Sequence, residues 1–461
     1  MGPWEAARPV PGSRSPRFDA LKNLEAKGLG GRDRAEAGGT KAAPELPKGK
    51  LTLADCIRIA AERNPKTRRS WEAARAAAAR AGQARAAYLP RLDLRAGADR
   101  GEWVSSAALD AGREPVMRNT YAGSLGLSYL LFDGGARAAS VDRAQAELRA
   151  ANFQHNTTLQ DLALDVEEAY YRLLATRWLR RVADDTVKQT RYHLELARAR
   201  LEAGVVTRSD VLKAETQRAE AELSLVRARN AVHVAHGRLA QAMGLRVSHA
   251  FEVADIPAAA RRQELASIES LLDEAAGQRP ELAEALARIE ASRADVRAAR
   301  ARYWPAITTS LDAGRKDTSF VPQQEEWGVG IALTVPLFEG FERHYRLRQA
   351  EAELARSVAE HADLLRGVEL EVWTAYWQVT EASQAVEAAG KLVASAIESA
   401  RVAEGEYENG VASMIDLIDA QTARTLAETR LVQARLDWYT AKARFERAVG
   451  RAFVQRSQPQ P

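Results

Sequence analysis

Two hydrophobic rhythms alternate along this chain. In Arg91–Val104, apolar Leu92, Leu94, Ala96 and Ala98 alternate with Arg91, Asp93, Arg95 and Gly97. In Asn119–Phe132, Tyr121, Gly123, Leu125, Leu127, Tyr129 and Leu131 alternate with Ala122, Ser124, Gly126 and Ser128. Period two over such runs predicts strands, about 91–104 and 119–132, with one apolar side. Asp110-Ala-Gly112 and Glu114-Pro115 mark their turn. From Ala136 to Ala203 there is then neither Gly nor Pro. That stretch predicts one helix, 136–203, roughly 100 Å long. Gly204 stops it, Ser209-Asp210 reads as the cap of the next helix, and that helix ends at Gly244. The same order follows again. Strands are expected at about 306–316 and 327–338, a long helix at 341–408 and a last helix to Val449. An Ala- and Arg-rich helix precedes each strand pair.

The recurrence is a duplication. Tyr88-Leu89-Pro90 returns as Tyr303-Trp304-Pro305 and Asn64-Pro65 as Arg279-Pro280, each 215 positions later. Leu131-Phe132-Asp133-Gly134 returns as Leu337-Phe338-Glu339-Gly340, Gly204-Val205 as Gly410-Val411, and Asp210 as Asp416, each 206 later. The organisation is therefore a segment 1–50, a first repeat 51–243, a linker 244–279, a second repeat 280–450 and a tail 451–461. Each repeat reads αββαα. Residues 1–50 are rich in Gly, Pro, Arg and Ala, hold no signal-peptide core, and read as disordered, as does the tail.

Composition narrows the function. The 66 basic and 62 acidic residues leave a charge of only +4, finely interleaved, which speaks for solvated helix faces and against nucleic-acid binding. Cys56 is the single cysteine, so an internal disulfide is impossible. It falls where the second repeat has Leu271, and reads as a small buried hydrophobe. No window of about 18 apolar residues predicts a membrane helix. His155, His193, His233, His236, His344 and His361 read as surface residues without metal spacing. No phosphate loop, nucleophile elbow or metal cluster is visible, so neither catalysis, cofactor nor metal is expected.

The strand pairs are the informative part. Trp103, Tyr121 and Tyr129 in one, and Trp304, Phe320 and Trp327 in the other, place aromatics near the ends of an apolar band. Membrane β-strands present themselves to lipid in this way. Four strands cannot close a barrel, and open edges are not tolerated in lipid. Chains must pool strands: two give eight, filled by their own side chains, and three give twelve, enough for a lumen. Inward Ser124, Gly126, Ser128, Gly328, Gly330 and Ala332 suit the open interior. Leu159, Leu162, Val166 and Ala169 add coiled-coil spacing. The expected fold is therefore mainly α with membrane β, a barrel that closes only when several chains pool their strands; three chains would also bring twelve helical segments to continue the tube as an α-barrel.

Taken in order, Leu53-Ala-Asp-Cys-Ile, Asn64-Pro65, Tyr88-Leu-Pro90, Leu131-Phe-Asp-Gly134, Leu337-Phe-Glu-Gly340 and the two Gly-Val…Asp turns resemble the outer-membrane factor family that includes TolC. The resemblance covers about residues 51–450. It implies a homotrimer forming a 12-stranded outer-membrane β-barrel continued by a periplasmic α-helical barrel, contact with outer-membrane lipid, a belt built from 244–279 with 51–65, and docking to an inner-membrane pump through a periplasmic adaptor. It further implies that Gly204, Val205, Val206, Gly410 and Val411 form adaptor-contacting ends. Asp416 and Asp419, three apart on one helix face, would ring the entrance as carboxylates. Asp210 and Tyr407 match gate contacts. The family's gate arginine is replaced by Ala412, with Arg208 offered as its substitute. With no lipid-anchor cysteine near the start, the group serving type I secretion of a protein toxin through an ATP-binding-cassette exporter is favoured. The alternatives are drug efflux with a resistance-nodulation-division pump, and a soluble coiled-coil scaffold.

Overall fold

The computed structural model describes residues 49–103, 116–255 and 266–451. Their order is β1 (Lys50–Leu51), α1 (Leu53–Arg63), α2 (Pro65–Ala86), β2 (Arg91–Trp103), β3 (Val116–Phe132), α3 (Ala136–Glu202) and α4 (Arg208–Ala242). Then come β4 (Glu252–Val253), α5 (Ile268–Gln278), α6 (Pro280–Ala301), β5 (Ala306–Asp317), β6 (Gln324–Thr334), α7 (Glu342–Glu408) and α8 (Met414–Ala448). The expectations for 1–48, for the first hairpin's turn and for most of the tail lie outside the described residues. Two compact units cut across the repeats. One holds Glu72–Phe153 with Ala283–Asp363, and the other holds Gln154–Leu282, Leu364 onward and the segment ending at Trp71.

The first unit contains an antiparallel sheet of order β2-β3-β5-β6, leaving β2 and β6 as free edges. Register keeps like with like. Leu127 pairs with Leu92 and Leu311, and Leu311 with Val329; Leu125 pairs with Leu94 and Ala313, and Ala313 with Trp327. Because paired residues share a face, these rows form one apolar surface. The intervening rows are small or charged, such as Asp93, Gly126, Asp312 and Gly328. A Cβ on Gly126 would stand 2.7 Å from an Asp312 carboxylate oxygen, so the glycine leaves room for that side chain in its present rotamer. β6 begins at Gln324 and ends at Thr334, where the expected strand ran 327–338. Pro336 supplies no N–H for a ladder and stops it, whereas Leu130 at the matching place lets β3 run on to Phe132.

Helix pairs in this unit use alanine. Ala77, Ala78 and Ala81 of α2 pack on Ala144 and Leu148 of α3. Val296 and Ala299 of α6 pack on Ala350 of α7. Small side chains allow close approach, and Arg149–Glu290 and Arg297–Asp142 ion pairs bridge α3 to α6.

The second unit has the larger core. Leu51, Cys56 and Ile59, Leu162 to Leu174 of α3, Leu239 and Met243, Val253, Leu271, Val368 to Val379 of α7, and Trp438 to Val449 converge in it. Cys56 is fully buried, and burial pushes its thiol up to about 12. β1 and β4 form a two-residue parallel pair too short for any sequence rhythm to reveal. The Tyr170 hydroxyl donates to the Ala254 carbonyl at 2.6 Å and ties that pair to α3.

The repeat explains how the last helices end. Asn64 donates from its side-chain amide to Ala242 O at 2.8 Å. Arg279 stands at the matching position and donates to Ala448 O at 3.0 Å. Different side chains satisfy the same orphan carbonyl of each helix end. Gly244 and Gly450 follow, at φ 72° and 84°. A Cβ on Gly244 would meet the Arg63–Asn64 backbone within 2.9 Å.

Candidate functional site

The second unit also holds the two helix–helix turns, built alike. Gly204 and Gly410 take φ 71° and 78°. Val205 N–H donates to Arg200 O and Val411 N–H to Glu406 O, both at 2.9 Å, closing left-handed C-terminal motifs. The following helices start on capping boxes. Thr207 caps α4, and Ser413 caps α8. The cap of α4 is thus Thr207 rather than the expected Ser209, because its N–H and hydroxyl both donate to Asp210 three residues on, at 3.1 and 2.8 Å. Ser413 N–H and hydroxyl donate to Asp416 at 2.9 and 2.6 Å. Bonds from Thr207 hold the Asp210 carboxyl below its ordinary range, and bonds from Ser413 do the same for Asp416. Both carboxylates therefore stay charged while capping.

Asp419 is exposed one turn beyond Asp416, which is also exposed. Val205 and Val411 are exposed apolar residues beside the two glycines, and Val206 is half-buried. The turns present a small apolar surface followed by carboxylates.

Tyr407 is buried in a local core with Leu194, Ala197, Val211, Ala214, Met414 and Leu417. Its hydroxyl finds no hydrogen-bond partner among the described residues, and burial raises its pKa. Arg208 is exposed at the start of α4 and forms no ion pair with a described residue. The arginine that engages Tyr407 is Arg200. Its guanidinium lies 4.8 Å from the ring centre and donates to the Tyr407 carbonyl. A Cβ on Gly410 would stand 3.2 Å from Arg200 Nη2, so the turn glycine leaves room for the cation. The sequence carried one signal of this. Arg200 matches Glu406 in the second repeat, a charge reversal inside an otherwise matched turn.

Two more contacts join α3 to α7 nearby. Tyr192 donates to Glu408 at 2.8 Å. His193 Nε2 lies 3.5 Å from Glu404. His193 is buried, as is His155, whose Nδ1 lies 2.8 Å from the Ser70 hydroxyl. The surface reading fails for both, because the seams of these long helices bury polar side chains as well as alanine. Burial lowers the His193 pKa although Glu404 opposes the shift. No group of three metal-binding side chains occurs among the described residues.

In the first unit, Tyr121, Leu127 and Tyr129 lie on the apolar face of β3, half-buried by neighbouring strands. Phe320 packs edge-on against Tyr121 at 5.4 Å. Trp304 and Trp327 are exposed. Trp103 closes β2 opposite Val116, and its side chain is outside the described residues.

Comparison with known proteins adds independent findings. A family model described as outer membrane efflux protein matches residues 56–245 and 271–451. Protein CyaE of Bordetella pertussis is 30% identical over 400 residues, covering 86% of this chain and 80% of that protein. The alkaline protease secretion protein AprF of Pseudomonas aeruginosa is 26% identical, covering 86% and 83%. The pyoverdine export outer membrane protein OpmQ of the same species is 26% identical, covering 81% and 81%. The crystal structure of VceC from Vibrio cholerae superposes with a TM-score of 0.76 at 21% identity, over 87% of this chain and 96% of that one, which establishes the shared fold.

Proposed function

The chain belongs to the outer membrane efflux protein family, and from that premise we propose that it is the homotrimeric export duct of a tripartite system carrying protein cargo. It is an outer-membrane protein reaching into the periplasm, in a family of channels and not of enzymes. The competing soluble scaffold does not survive that membership.

The open sheet carries the reading. Four strands with an apolar face and two free edges cannot rest in lipid alone, because unpaired backbone groups there have no partner. Three copies close a 12-stranded barrel, and their 67-residue helices supply the periplasmic α-barrel. Gly204-Val205-Val206 and Gly410-Val411 are the ends that meet the periplasmic adaptor. Asp416 and Asp419 ring the entrance, and Asp210, Tyr407 and Arg208 belong to its gate. An inner-membrane transporter of the ATP-binding-cassette type supplies the energy. The description of AprF as a protease secretion protein supports protein cargo. The second reading, small-molecule export, is favoured by the description of OpmQ.

Deleting the gene and comparing the secreted proteome with susceptibility to small molecules separates the two. Loss of one or a few secreted proteins with unchanged susceptibility supports the proposal. Sensitisation with an intact secretome reverses it. Sedimentation of the full chain in detergent tests the trimer.

A further inference from the structure

In the first unit each long helix leaves its hairpin at a corner, and each corner closes on one arginine. Arg137 stands in the first turn of α3 and Arg343 in the first turn of α7. The guanidinium of Arg137 lies 5.0 Å from the ring centre of Tyr88, and its Nη2 donates to Leu131 O at 3.2 Å. Arg343 repeats this with Tyr303 at 5.3 Å and Leu337 O at 3.3 Å. Nε of each lies against the acid of its turn, Asp133 at 3.3 Å and Glu339 at 2.9 Å. One side chain thus ties the tyrosine before the hairpin to the close of its second strand and to the start of the helix that follows.

Around the arginines the two corners differ. The Asp133 carboxylate also accepts from Gly135 N–H at 3.1 Å and Arg137 N–H at 2.7 Å, and its side chain is 13% exposed. Glu339 is one methylene longer and 44% exposed, and its carboxylate accepts no backbone N–H among the described residues. The residue before α3 is Gly135, at φ 93°; the residue before α7 is Phe341, at φ 67°, the one non-glycine with positive φ among the described residues. Glycine takes left-handed backbone freely, whereas a Cβ there crowds its own carbonyl and strains the turn. A Cβ on Gly134 would stand 2.5 Å from Trp304 Cβ, so the first corner is wedged against the end of α6, while no described atom comes within 4 Å of a Cβ on Gly340. Strain persists only where surrounding contacts over-determine the conformation. We propose that Arg343 is the positioning residue of the second corner. It alone holds, against the strain at Phe341, a turn that the first repeat secures with Asp133, Gly135 and Gly134 as well as Arg137. The angle between β6 and α7 therefore depends on one side chain, and the angle between β3 and α3 does not. On the duct reading above, these angles set the bore where sheet gives way to helix.

Hydrogen exchange of the full chain tests this at two matched amides, Tyr345 N–H bonded to Phe341 O and Ala139 N–H bonded to Gly135 O. Arg343→Ala is expected to speed exchange at Tyr345 by at least about tenfold, and Arg137→Ala to speed it at Ala139 by less than about threefold. Phe341→Gly relieves the left-handed strain and should restore protection in the Arg343→Ala chain. A loss due to packing alone would not be reversed by deleting a second side chain. Arg343→Lys keeps the charge without the planar fork and should restore only part. Equal acceleration at the two corners, or no rescue by Phe341→Gly, overturns the proposal. If Arg343→Ala does not assemble, Tyr303→Leu against Tyr88→Leu carries the same expectation, because each removes only the ring under its guanidinium. Conductance in planar bilayers reads the consequence for the bore. Arg343→Ala should add current levels, while Arg137→Ala keeps the level of the unaltered chain; one shared level in both overturns the link between corner and bore. An unaltered chain that carries no current overturns the duct reading and leaves the exchange result standing.

Discussion

Arg200 stands 4.8 Å over the ring of Tyr407 and also donates to that residue's own carbonyl, so one side chain holds both the face and the backbone of its partner. The contact joins the last turns of α3 and α7 at their shared end. A charged hydrogen bond and a partly desolvated cation–π contact together stabilise by about 2–3 kcal/mol. Arg200→Ala should therefore free the helix ends locally. Hydrogen exchange of amides in 194–214 and 403–417 should accelerate by one to two orders of magnitude, while exchange in the Leu162–Leu174 core stays unchanged. Lysine at 200 should restore only part of the protection, since it lacks the planar fork.

His193 gives the same seam a dependence on pH. It is buried against Glu404, with Glu408 nearby on α7 and Gln421 on α8. Burial depresses its folded pKa below the ordinary value near 6.5. The neutral ring is thus favoured on folding. Its contribution is fully present above pH 6.5 and is lost as pH falls through the depressed folded value. Exchange at the helix ends, corrected for its intrinsic pH dependence, should rise between pH 7 and 5. In His193→Gln that rise should disappear. A rise of equal size in the variant would assign the effect to the carboxylates.

Asp416 and Asp419 are both exposed, one turn apart. Threefold repetition would set two rings of carboxylates at the entrance, and such rings bind cations. Asp416→Asn with Asp419→Asn should weaken block by multivalent cations in planar bilayers by at least about tenfold, roughly 1.4 kcal/mol of binding. Asp416 has a second duty at its cap, so Asp419→Asn alone is the cleaner variant. Unchanged block in both would remove these residues from the pore.

Much of this architecture was legible from period and repeat. Strand alternation survives in the register because one face is apolar along all four strands. What stayed hidden depends on three dimensions. Arg279 stands out in sequence only as the repeat partner of Asn64, yet it reaches across to a carbonyl at Ala448. Arg200 is one arginine among many until Tyr407 is placed beside it. His155 and His193 sit in polar stretches, and only the packing of one long helix on another buries them. β1 and β4 are two residues each, below the length at which any period exists.

Leu127 pairs with Leu92 and Leu311 at the centre of the apolar face. If that face meets lipid, Leu127→Arg places a charge near the bilayer midplane and should cost roughly 2–4 kcal/mol. Ser128→Arg, one residue on and facing the other way, should be tolerated. The yield of heat-modifiable trimer in outer membranes measures both. Equal yields would mean that the apolar face is not the lipid face.

Arg279 is buried at the start of α6, where it bonds Ala448 O and pairs with Glu281 at 3.2 Å and Glu371 at 2.8 Å. Glu281 also meets Arg447, and these arginines hold its carboxyl below the ordinary range despite burial. Removing the cation by Arg279→Ala leaves a half-compensated buried carboxylate and an orphan carbonyl, a loss of about 3–5 kcal/mol. The first repeat solves the carbonyl problem with Asn64, bonded to Ala242 O at 2.8 Å. Arg279→Asn should therefore recover about 1 kcal/mol of that loss, the worth of one hydrogen bond, and leave the rest. Adding Glu281→Gln to Arg279→Asn removes the unpaired charge and should recover more. Chemical unfolding of the three variants measures the order, and an alanine variant as stable as the asparagine one would show that the carbonyl finds water instead.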